Sequence, residues 1–108
     1  MTLEEILKAC KDLSICEERS MGGEYCELVF LNKEIDRWNK IFNGIFGPAI
    51  KPKGSKPTKA DLLLTDEHGG ISDNQTLFQR DFGKEMIFAM FWPWQDGINV
   101  TLKIVLVR

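Results

Sequence analysis

The chain has 108 residues and a formal net charge of -2, a length that suits one domain and leaves no room for two. Apolar residues make up 44% of it and charged residues 28%, which excludes a chain too polar to build a core. The slight acidity argues against general nucleic-acid binding, which calls for a basic surplus, and no apolar run approaches the roughly 20 residues of a membrane-spanning helix.

Met1-Thr2-Leu3-Glu4-Glu5 has neither the basic nor the apolar region of a secretory signal. The three cysteines, Cys10, Cys16 and Cys26, are odd in number. Both features point to the cytoplasm, where thiols stay reduced. In that compartment the glycosylation patterns Asn74-Gln75-Thr76 and Asn99-Val100-Thr101 carry no meaning.

Residues 2–13 read as a helix. Thr2 and Glu5 form a capping box, and Leu3, Ile6, Leu7, Cys10 and Leu13 fall on one face. Residues 14–31 read as a hairpin about Met21-Gly22-Gly23. Its second arm sets Cys26, Leu28 and Phe30 on one face and Tyr25, Glu27 and Val29 on the other. The polar first arm has the composition of an edge strand. Asn32 is placed to cap a second helix running to about Phe46, with Ile35, Trp38, Ile41, Phe42, Ile45 and Phe46 as its apolar stripe. Gly47-Pro48 ends it.

Residues 47–60 hold three prolines, two glycines and four lysines with no acid. They predict an extended, mobile surface loop. Beyond it, Asp61 to Asp66 reads as a short apolar strand, closed by the turn Asp66-Glu67-His68-Gly69-Gly70. Leu77 to Phe82 reads as another strand. The apolar run from Met86 to Trp92 suits a strand buried on both faces. Asp96-Gly97 makes a hairpin turn, and Ile98 to Val107 alternates as a strand does. Helices and strands are segregated, so the expected class is α+β: an antiparallel sheet of about five or six strands with two helices packed on one face. No repeat is present.

Four groups of residues carry potential chemistry, each with a plainer explanation. Asp66, Glu67 and His68, with Asp61 and Asp73, offer carboxylates and an imidazole for a divalent metal or acid–base work. The plainer account, and the favoured one, is a polar turn before two glycines. His68 is the only histidine, which excludes a multi-histidine site in one chain. The cysteine spacing matches no zinc signature. Cys10 and Cys26 sit on apolar faces as small hydrophobes, which leaves Cys16 as the accessible thiol. Lys51, Lys53, Lys56 and Lys59 could meet an anionic partner but have no phosphate-loop spacing; lysines that merely keep a loop in water look the same. Last, Phe88, Phe91, Trp92 and Trp94 surround Pro93. Core packing is the plainer account, but strand alternation cannot bury them all on one face, so Trp92 and Trp94 at the strand end are the leading candidates for a contact surface.

These observations favour a non-enzymatic binding module without cofactor or metal. Trp92 and Trp94 would be its contacts, joined by Lys51, Lys53 and Lys56, for a protein partner or small ligand. Two other readings stay open: a metal-assisted hydrolase centred on the Asp66-Glu67-His68 turn, and a structural subunit that self-associates through a sheet face or edge.

Overall fold

A computed structural model describes all 108 residues. Eight elements follow in chain order: helix α1 (Leu3–Ala9), strands β1 (Glu17–Met21) and β2 (Tyr25–Leu31), helices α2 (Ile35–Phe46) and α3 (Lys59–Thr65), and strands β3 (Thr76–Asp81), β4 (Met86–Pro93) and β5 (Asn99–Val107). The five strands form one antiparallel sheet in the order β1-β2-β5-β4-β3. The fold is α+β, and no helix is long and apolar enough to cross a membrane.

The capping box at α1 is present. The Glu5 amide donates to Thr2 Oγ1 at 3.1 Å, and the Thr2 amide donates to Glu5 Oε1 at 3.0 Å. α1 and α2 both cover the first face of the sheet, which presents Cys26, Leu28, Phe30, Phe78, Ile87, Phe91, Leu102 and Ile104. From α2, Trp38, Phe42 and Phe46 enter this core. Their four-residue spacing puts them on one side of the helix. Trp38 stacks on Phe30 with ring centres 4.5 Å apart, and Phe42 meets Phe91 at 5.2 Å and Phe78 at 5.7 Å. The Trp38 indole N–H has no acceptor in this apolar setting.

The second face differs in coverage. A smaller core of Leu77, Phe88, Met90 and Val105 is roofed by Ile71 and Leu64 over the β3–β4 side only. Leu64 belongs to α3, where the sequence suggested a strand over Asp61 to Asp66. The cause is a second capping box: the Asp61 amide donates to Thr58 Oγ1 and the Thr58 amide to Asp61 Oδ2. It satisfies two orphan amides and starts a helix in a segment whose apolar run suits either state. One turn of helix cannot bury three consecutive leucines, so Leu62 and Leu63 face water while Leu64 packs.

Two other expectations are corrected. Asn32 does not cap α2. A 3-10 turn over Asn32–Glu34 precedes that helix, no side chain caps its start, and the Asn32 amide group reaches the Gly97 carbonyl instead. The segment 47–60 does not stand free of the sheet as an extended surface loop. It docks along the open edge of β3, where Lys51 and Leu77 exchange backbone hydrogen bonds, and its last residues enter α3.

Candidate functional site

Register decides what the second face presents. Glu27 on β2 lies opposite Lys103 on β5, which lies opposite Met90 on β4. One step along, Val29, Thr101 and Trp92 form the next row. A lysine thus stands in the middle strand of the sheet, where water is scarce, and needs partners. Lys103 Nζ lies 3.6 Å from the centre of the Trp92 ring and donates to the His68 carbonyl at 3.0 Å. Loss of water lowers the proton affinity of Lys103, and the Glu27 charge opposes that shift.

The turn after α3 is seated on this pair. Gly69 has φ +95°, and a Cβ there would fall 2.4 Å from Trp92 Cη2, so the backbone approaches the indole as only glycine allows. His68 stacks with Tyr25, ring centres 5.4 Å apart, and meets the edge of Phe88. The Tyr25 hydroxyl donates to Glu27. Burial pushes the Tyr25 hydroxyl up in pKa, with the hydrogen bond to Glu27 adding to it.

On the β1–β2 side no helix covers the sheet. Glu27 also receives Arg19 Nη1 at 3.5 Å, and Arg19 pairs with Glu17 at 3.1 Å. A register irregularity in β1 between Glu18 and Ser20 bends the strand at Arg19. The guanidinium lies 5.3 Å from the Trp94 ring centre. The Trp94 indole folds back over the sheet and donates to Thr101 Oγ1 at 2.8 Å, leaving the residue 37% exposed. The open half therefore offers an aromatic ring under a guanidinium, flanked by carboxylates. Grooves of about 520, 480 and 320 Å³ are lined by other residues.

The residues singled out from sequence separate. Trp94 is on the open half. Trp92 is half-buried beneath the Gly69 turn, its N–H without an acceptor. Lys53 and Lys56 are exposed. Lys51 is withdrawn from the contact set: it is 1% exposed, and its ammonium donates to the carbonyls of Pro52, Asp73 and Gln75 at 3.0, 3.0 and 2.6 Å. An ammonium has three donors, and all are taken. Asp66 and Glu67 point to water while His68 packs among rings, and no three His, Cys, Asp or Glu side chains converge as metal ligands. Cys10 and Cys26 are buried and Cys16 is exposed. Burial pushes the Cys10 thiol up to about 11.

Sequence reasoning missed Arg19, Tyr25, Glu27, Thr101 and Lys103. The signal was the alternation itself, which put Glu27 and Lys103 on the non-core faces of two strands. Opposite charges on such strands mark a cross-strand pair, but only the strand order shows that they adjoin. Comparison with protein-family models, curated proteins and solved structures gives no match to this chain.

Proposed function

We propose that this chain is a non-catalytic, cytoplasmic binding module that holds a protein partner on the open half of its second sheet face. One observation carries the reading: Trp94 is held in place by its hydrogen bond to Thr101, yet keeps a ring face at the surface under the Arg19 guanidinium. Tryptophan and arginine are the residue types that concentrate binding energy at protein interfaces. A pre-positioned indole also loses little side-chain freedom on binding. The ion pairs of Arg19 with Glu17 and Glu27 supply a polar rim.

The test is differential capture. Wild type, Trp94→Ala, Arg19→Ala and an exposed control at the other end of β4, Lys84→Ala, are used as baits, and retained proteins are compared by mass spectrometry. The expected result is a protein held by wild type and control and lost from both site variants, with all four folded. A retained set indifferent to Trp94 and Arg19 would overturn the reading, as would self-association that depends on the same two residues.

A further inference from the structure

Register places the β1–β2 turn and the end of β5 at the end of the sheet away from Trp94. There, on the first face, the start of α1 leaves a groove of about 520 Å³. That volume falls within the roughly 300–1,000 Å³ of small-molecule sites. Leu7, Met21, Cys26 and Leu106 give it apolar walls. Met21 is 47% exposed, and Leu7 and Leu106 are only half-buried, so apolar surface lies open along the groove.

The mouth is acidic. Glu4, Glu85 and Arg108 stand on it. Arg108 is shared between Glu24 and Glu85, so its one positive charge is matched twice over. Glu4 is exposed and enters none of the ion pairs. Counting Glu24 beside Arg108, three carboxylates and one guanidinium stand at or next to the groove. The surplus favours a cation and disfavours an anionic head. The carboxylates do not converge as metal ligands, and an apolar wall gives a bare ion nothing to hold.

We propose that this groove is a second binding site, taking a small aliphatic amine. Its alkyl stem lies against Leu7, Met21 and Leu106, and its ammonium sits at the mouth beside Glu4. The site is independent of the partner surface at Trp94.

The test is a titration of isotope-labelled protein with n-octylammonium, 1-octanol and octanoate at neutral pH, below micelle-forming concentrations, followed through amide shifts. Octylammonium is expected to shift Gly22, Gly23 and Leu106 saturably and to bind about tenfold more tightly than either neutral or anionic analogue, as one favourable charge contact allows. Glu4→Gln should weaken the amine alone, and Met21→Ser should weaken all three. Both positions are exposed, so both variants should fold. Trp94→Ala should bind the amine as wild type does, which keeps this test separate from that of the partner surface. Absence of saturable shifts at the groove, equal binding of the three ligands, or indifference to both variants would overturn the proposal.

Discussion

The two faces of the sheet are closed by different physics. On the first, α2 delivers Trp38, Phe42 and Phe46 onto Phe30, Phe78 and Phe91, and α1 adds Leu3 and Ile6. Burial there is extensive and non-directional, and many contacts share the load. On the second, a short helix and a turn supply little apolar area. The loops are fixed instead by ammonium groups aimed at backbone carbonyls: Lys103 on His68, and Lys51 on Pro52, Asp73 and Gln75. A face held by a few directional contacts is sensitive to single atoms, because a lost partner strands a buried polar group. It also leaves sheet uncovered, and there Trp94 and Arg19 meet solvent.

The contrast can be broken from either side. Phe42→Ala should have the largest effect, about 3–5 kcal/mol of unfolding free energy in denaturant titration, from lost transfer energy plus a cavity. A loss under about 1 kcal/mol would mean that the first face can collapse around the gap. Gly69→Ala comes next, at about 2–4 kcal/mol, because the left-handed backbone and the Trp92 ring both resist a Cβ. It should also change tryptophan fluorescence, since the turn must lift from the indole. A variant as stable as wild type would show that the turn is not seated on Trp92.

Lys51→Met keeps the stem and removes the ammonium. It should cost about 1–3 kcal/mol, the range for stranding buried acceptors. The clearer readout is limited trypsin digestion, with faster cleavage after Lys53 in the variant than in wild type. Equal cleavage would mean that the segment is held without the clamp. Trp94→Ala should cost least, about 1–2 kcal/mol, for one neutral hydrogen bond and part of a ring. A cost of 3 kcal/mol or more would place Trp94 among core residues, by the usual cost of deleting a buried aromatic.

A further effect is confined to alkaline pH. Burial raises the Cys10 thiol from its ordinary 9.0 to about 11. Between those values the unfolded chain has released a proton that the folded chain still holds, so stability falls as pH rises from 9 and levels off above 11. The fall should be shallower in Cys10→Ala. Parallel pH profiles for the two proteins would place the titration elsewhere.

Much of the fold was legible because two signals are local. Alternation in β5 and in the second hairpin arm separates the faces, and the Thr2 and Glu5 pair marks a helix start. The same capping logic applied to Thr58 and Asp61 announces α3, but the leucine run beyond them reads equally as a strand. A run of Pro, Lys and Gly reads as solvated loop, and composition cannot show that one lysine of four turns inward. Lys51 does so because three carbonyls from two loops converge there, an event of tertiary assembly. The same holds for the site: Trp94 was found from its place after Pro93, whereas Arg19, Glu27 and Lys103 became neighbours only through strand order.

That order has a kinetic consequence. β5 follows the other four strands in the chain, yet lies between β2 and β4 and joins the two hairpins. The β1–β2 and β3–β4 units close over short turns and can form in microseconds, whereas seating β5 against β2 pairs Tyr25 with Val105 across most of the sequence. Until that happens, β2 exposes its inner edge, bearing Leu28 and Phe30, and β5, paired to β4 through a short hairpin, exposes its own, bearing Leu102 and Ile104. During synthesis the two halves must therefore wait, apolar edges open, for the strand that unites them. In that interval the nascent chain is most prone to pair with another molecule instead of with itself.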